Sequence, residues 1–261
     1  MPKVREISAA IEAFASLQLQ ESYDNAGLQV GDPEAEVSAV LLCLDVTEDI
    51  LAEAKRRHCS MVVSHHPLIF RGLKSLTGAD ETQRLVLGAL RDGIAVYSAH
   101  TNLDSAFAGV SYEMASMLGV ANARPLVPTA PDAMTGLGVI GDITPLPKLE
   151  FLRKIKEKFN VKCVRYSQGR NSLVVKRVAL CGGSGASFID NAIDAGADIF
   201  ITGDIKYHDF TGNGNRILLC DIGHFESELC SERIFSRIIR ESFPDMVVYF
   251  PESESNPVKF M

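Results

Sequence analysis

Tryptophan is absent from the 261 residues, and the aromatic share is only 7%. No stretch reaches the roughly 18 consecutive apolar residues that a membrane-spanning helix needs. The N-terminal "MPKVREISAAIEAFASLQLQ" interrupts its apolar positions with Lys3, Arg5, Glu6 and Glu12, which argues against a secretion signal. Cations are in short supply too: 26 Lys and Arg against 33 Asp and Glu leave a net charge of −7. The densest basic stretch, "AEAKRRHCS", reads as a solvated helix end. Such a charge balance argues against a nucleic-acid partner held through its phosphates. The six cysteines show neither C-x-x-C nor the even spacing of a disulfide framework. Reduced, buried thiols in a cytoplasmic protein are therefore expected.

What is present is an alternation of strand-like and helix-like runs, the pattern of an α/β fold. At the N-terminus Val4, Ile7, Ile11 and Phe14 recur at helical spacing, which predicts an amphipathic helix. An internal repeat then stands out. "VLLCLDVTEDILAEAKRRHCSMVVSHHPLIF" (40–70) aligns without a gap on "VALCGGSGASFIDNAIDAGADIFITGDIKYH" (178–208). Val40 meets Val178, Leu42 meets Leu180, Cys43 meets Cys181, and Val63 meets Ile201, all at an offset of 138 positions. Each copy reads as strand, turn, helix and strand, with strands apolar throughout as in a buried parallel sheet. Two related lobes are expected: a first of 1–126 plus 217–261, and a second of 127–216. The proline-rich "ARPLVPTAPDAMTG" is the expected boundary.

Both copies end in polar clusters, where open α/β sheets carry their ligands. The first cluster is "VVSHHPLIF". In a regular strand the adjacent His65 and His66 would face opposite ways, but a turn at Pro67 would let them serve two ions. The second follows the run "GIAVYSAH", where His100 and Asp104 lie in a predicted loop. Asp104 reads either as an oxygen ligand or as a cap for the helix "AGVSYEMASMLG". The third is "DIGHFESELCSERIFSRII". There His224 and Glu228, four apart, share one face of a helix start, while Leu229, Ile234, Ile238 and Ile239 supply its buried face. Counted without His100, the three imidazoles His65, His66 and His224 and the carboxylates Asp104 and Glu228 exceed what one four-coordinate ion requires. They suit two ions bridged by a carboxylate, with zinc, iron, manganese or nickel favoured over calcium.

Six stretches in order, "SYDNAGLQVGD", "LCLDVTEDIL", "VVSHHPLIF", "AHTNLDSAFAGV", "GADIFITGDIKYHD" and "DIGHFESE", resemble the GTP cyclohydrolase 1 type 2 homolog family, the Nif-three-like proteins. The resemblance covers essentially the whole chain. It implies a two-lobed α/β fold with a dinuclear metal site in the cleft between lobes. It also implies assembly into a homohexameric ring, a trimer of dimers, with the sites facing an inner cavity. Carried over by motif, His65 and His66 would each hold one ion. Asp104 would join His66, His224 would join His65, and Glu228 would bridge both.

Two such ions point to hydrolysis of a small molecule, a nucleotide or another phosphorylated metabolite, by a lowered water pKa. The alternative is a non-catalytic metal-delivery or regulatory ring. Beyond Glu228, the expected catalytic groups are Asp204, Lys206 and His208 in "GDIKYHD"; Lys206 reads equally as a phosphate contact or a solvated lysine. Asp45 and His100 are expected to orient ligand imidazoles. Asp24 and Asn25 are expected to build a turn, with a place in the cleft wall as the other reading. "CGGSGAS" invites a phosphate-cradle reading, but it lacks the P-loop Lys-Ser/Thr pair, and a tight βα turn accounts for it.

Overall fold

The computed structural model describes residues 1–169 and 174–261. Among these, the strands are β1 (Gly27–Val30), β2 (Ala39–Cys43), β3 (Met61–Ser64), β4 (Ala95–Ser98), β5 (Ala121–Pro128), β6 (Gly136–Pro147), β7 (Arg165–Tyr166), β8 (Val174–Leu180), β9 (Ile199–Thr202), β10 (Leu218–Asp221) and β11 (Val247–Tyr249). The α-helices are α1 (Val4–Phe14), α2 (Glu48–Arg56), α3 (Glu81–Asp92), α4 (Thr101–Ser105), α5 (Val110–Leu118), α6 (Lys148–Lys158), α7 (Ile189–Asp194), α8 (Tyr207–Asn213), α9 (His224–Glu228) and α10 (Ser231–Ser242). The chain divides into two compact units, Met1–Leu103 with Ser231–Ser255, and Asp104–Cys230 with Asn256–Met261.

The first unit is built on a five-stranded sheet of order β1-β4-β3-β2-β11. Its four strands from β4 to β11 run parallel, and β1 closes one edge antiparallel. Every residue of β2, β3 and β4 is buried, which is why these runs lack the apolar–polar alternation of a half-exposed strand. The predicted N-terminal helix is α1, buried through Val4, Ile7 and Ile11, and it packs on α10. Helix α2 starts where the Thr47 hydroxyl accepts the Ile50 N–H (3.2 Å). Glu48 and Asp49 in its first turn and Lys55 and Arg56 in its last match the helix dipole.

The second unit carries a six-stranded sheet of order β5-β6-β8-β9-β10-β7. Strands β8, β9 and β10 are parallel, and β5, β6 and β7 are antiparallel to their neighbours. Leu126, Ile140, Ala179, Phe200, Ile205 and Leu219 pack in one of its cores. The repeat read from the sequence reappears in the register. Val40 pairs with Met61 in the first sheet, and Val178 pairs with Ile199 in the second, so the 138-residue offset holds across both strands.

The unit boundaries differ from the expected 126/127 and 216/217. Residue 126 falls inside β5, so "ARPLVPTAPDAMTG" is an edge strand and the turn into β6 rather than a linker. Prolines fit there because an edge strand leaves one row of its backbone groups without a ladder partner. Residues 217–230 belong to the second unit, because β10 pairs with both β9 and β7. The helix predicted to continue from His224 through Ile239 is broken into α9 and α10, and the two fall in different units. Leu229, expected on its buried face, sits at the break and is 37% exposed.

Candidate metal centre

In the first unit, three imidazoles gather beyond the carboxyl ends of β3 and β4. The His65 and His66 N–H groups donate to the Cys43 and Leu44 carbonyls (3.1 and 2.9 Å), which extends the β2–β3 ladder past Ser64. The Ser64 hydroxyl donates to the His66 carbonyl (2.8 Å), and Pro67 follows. This local turn brings rings that a straight strand would separate to a centroid distance of 5.2 Å. The His100 ring stands edge-on to both, at 5.4 and 5.5 Å.

All three rings are held in the same manner. His65 Nδ1 donates to the Ala99 carbonyl (2.8 Å), His66 Nδ1 to the Asp45 carboxylate (2.7 Å), and His100 Nδ1 to the Asp24 carboxylate (2.8 Å). A carbonyl can only accept, so the His65 proton is on Nδ1, and a neutral ring keeps its lone pair on Nε2. Asp24 does more than build a turn. Its carboxylate also accepts the Thr101 N–H (3.0 Å) and hydroxyl (2.5 Å), which ties residues 77 positions apart. Burial would raise the Asp24 carboxyl, but hydrogen bonds from His100 and Thr101 outweigh it and hold the group well below the usual carboxylate range.

In the second unit, the "DIGHFESE" motif turns from β10 into α9 through Gly223, whose φ of 90° leaves the helical region. His224 Nδ1 donates to Asp204 (2.8 Å), the fourth use of the same arrangement. His224 Nε2 lies 3.0 Å from the Glu228 carboxylate, as their four-residue spacing predicts. Glu228 is buried. Asp104 lies on the short helix α4 rather than in a loop, and α5 is capped by Gly109, so the capping alternative is not realised. After burial itself, the charges of Asp104 and Glu228 are the main influences raising the Cys181 thiol, which places both carboxylates near it and keeps that sulfur protonated.

The "CGGSGAS" loop is spent on its own unit. The Gly182, Gly183 and Gly185 N–H groups donate to Ser111 (3.3 Å), Ser227 (2.9 Å) and Thr202 (2.8 Å) hydroxyls, so the phosphate-cradle reading fails. The glycine matters for another reason. A Cβ on Gly183 would lie 2.1 Å from Glu228 Oε1, so the missing side chain makes room for the carboxylate. Ser227 completes the grip by donating to the His224 carbonyl (2.7 Å). No sequence signal distinguished this task from an ordinary βα turn.

Of "GDIKYHD", only Asp204 reaches a candidate ligand, and it does so as the partner of His224. Lys206 and His208 are exposed at the start of α8. The Lys206 N–H is accepted by Asp209 (3.0 Å), and the His208 ring stands edge-on to Tyr207 at 5.4 Å. Within the first unit, His65 and His66 each carry an imidazole nitrogen able to ligate a metal ion.

The model of the Duf34/NIF3 (NGG1p interacting factor 3) family matches residues 2–257. The chain belongs to that family. Relatives of this NIF3-family chain include the GTP cyclohydrolase 1 type 2 homolog of Clostridium perfringens, 34% identical over 99% of this chain and 100% of the relative. The protein of the same description from Lactococcus lactis is 35% identical over 98% of both. Among solved structures, Staphylococcus aureus hypothetical protein SA1388 superposes with a TM-score of 0.91 at 27% identity, covering 99% of each chain. Reduced HcgD from Methanocaldococcus jannaschii gives 0.82 at 26% identity, covering 96% of this chain and 98% of that one. The NIF3 family thus accounts for the mixed α/β fold with two sheets. No helix among the described residues is long and apolar enough to cross a membrane.

Proposed function

We infer that this NIF3-family protein holds two divalent transition-metal ions and hydrolyses a nucleotide or another phosphorylated metabolite. The reading follows the description of its relatives as GTP cyclohydrolase 1 type 2 homologs. In this reading His65 and His224 would hold one ion, His66 and Asp104 the other, and Glu228 would supply a carboxylate to both. The observation that carries it is the common wiring of the imidazoles. Each turns Nδ1 to a carbonyl or carboxylate, the arrangement that fixes tautomer and ring direction in metal sites. Nitrogen and oxygen donors without a thiolate fit zinc, iron, manganese or nickel.

Bound ions of this kind lower the pKa of water toward neutrality and polarise phosphoryl or carbonyl oxygens. The protein's own residues supply the rest. Asp45, Asp204 and the Ala99 carbonyl hold the rings, and Gly183 and Ser227 seat Glu228 and His224. Because Asp204 is committed to His224, proton transfer falls to the His208 imidazole, and Lys206 Nζ offers a positive charge to a phosphate. The assembly in this reading is the homohexameric ring, a mass of about 170 kDa from six chains of 28.4 kDa, measurable by light scattering.

The test is turnover on a panel of nucleotides and phosphorylated metabolites with metal-loaded protein. Activity that disappears in Glu228→Ala supports a hydrolase. Metal that exchanges readily, with no turnover on any substrate, supports the delivery or regulatory alternative.

A further inference from the structure

Two exposed aromatic rings lead from solvent to the imidazoles of the first unit. Tyr23 is 62% exposed and Phe70 44% exposed. Their ring centroids are 6.5 Å apart at 54°, and Phe70 stands 6.3 Å from His100 at 76°. His100 in turn abuts His65 and His66. A lone exposed aromatic is ordinary on a protein surface. A continuous row ending on a set of metal-type donors is not explained by that background.

The backbone on both sides of the row is fixed. The Glu21 N–H donates to the Thr101 hydroxyl (2.9 Å), and Asp24 is locked to His100 and Thr101. Asn25 Nδ2 donates to the Ile69 carbonyl (2.6 Å), and the Ile69 N–H donates to Gln29 Oε1 (2.6 Å). The segments bearing Tyr23 and Phe70 are therefore tied to each other and to the His100 segment. Rings carried on segments tied in advance cost less ordering when a ligand stacks on them, and such preorganisation helps turn contact into affinity. Their faces suit a flat π-system; a sugar or an alkyl chain gains much less.

We propose that Tyr23 and Phe70 form a stacking platform for a flat aromatic heterocycle, which they hold beside the imidazole cluster. This rests on the metal-site reading and names the part of the substrate that the site recognises. It assigns "SYDNAG" a binding task through Tyr23, while Asp24 and Asn25 do the anchoring.

The absence of tryptophan supplies the test, because Tyr23→Trp introduces a single indole reporter at the platform. The metal-loaded variant is titrated with adenosine and guanosine 5′-monophosphates, and in parallel with ribose 5-phosphate, while metal content is measured on the same samples. The expected result is saturable quenching by the nucleotides and none by ribose 5-phosphate at tenfold higher concentration. Adding Phe70→Ala should weaken nucleotide binding about tenfold or more, given the usual worth of one stacked base, at unchanged metal content. Equal binding of ribose 5-phosphate, no nucleotide binding, or no effect of Phe70→Ala in metal-loaded protein overturns the platform alone. Indole emission that changes with protein concentration and not with nucleotide would assign the row to self-association instead. Failure of the protein to load metal at all would strike the metal-site reading, a separate outcome.

Discussion

Replacing Gly183 by alanine puts a methyl group where the Glu228 carboxylate now lies. The added Cβ would sit 2.1 Å from Oε1 and 3.4 Å from the His224 ring, at a φ of 62°. Two penalties follow. The left-handed backbone costs an L-residue about 1–2 kcal/mol, and forcing a group into a filled site costs about 1–3 kcal/mol more. Gly196 provides the control, because its φ is 74° and nothing lies within 4 Å of an added Cβ. Gly196→Ala should therefore lose only the first amount. Urea unfolding of the metal-free proteins, followed by circular dichroism, should place Gly183→Ala about 1–3 kcal/mol below Gly196→Ala. Elemental analysis should show metal lost in Gly183→Ala and kept in Gly196→Ala. Shortening the acid in Gly183→Ala/Glu228→Asp should recover part of the stability. Equal stability of the two alanine variants, with full metal in both, would refute the argument that Gly183 exists to seat Glu228.

Asp45→Asn and Asp204→Asn each remove the charge behind one proposed ligand imidazole, so each should weaken metal binding about 10- to 100-fold in a competition titration with a chelator while the circular dichroism spectrum stays unchanged. Unaltered affinity in both would show that the wiring is incidental. Glu232 is buried on α10, and burial, the hydrogen bond to Glu254 and repulsion from Glu254 raise its carboxyl well above the ordinary 4.5. The folded protein then keeps a proton that the unfolded chain releases, so stability should fall as pH rises above about 4.5 and level off once Glu232 itself ionises. Glu232→Gln should flatten that fall in unfolding measurements made between pH 5 and pH 9; an unchanged pH profile would contradict the assignment.

The parallel strands were legible because burial on both faces leaves no polar positions to confuse the reading. "AVLLC", "MVVS" and "IFIT" are continuous apolar or β-branched runs, and the 138-residue offset carried their register as well. His224 and Glu228 were legible because helical spacing is local. Other features depended on distant partners. Asp24 looked like a turn residue because His100, its partner, lies 76 positions away. The role of Gly183 depends on a carboxylate 45 positions on, and a glycine-rich turn reads the same whether or not something packs against it. Strand β5 was missed because its prolines signal a boundary in the sequence, and only its place at the sheet edge makes them tolerable. The break between α9 and α10 was hidden by an apolar pattern that runs on across it. Helix α10 keeps that pattern for Ile234, Phe235, Ile238 and Ile239, whereas α9 turns its buried face to Ser227 and Glu228.

Elemental analysis of protein purified without added metal, alongside His66→Ala and Glu228→Ala, decides whether these side chains hold metal. A dinuclear site requires close to two transition-metal ions per chain in the native protein and a clear loss in each variant. A native protein that contains none, and takes up none on reconstitution with zinc, iron, manganese or nickel, would contradict it.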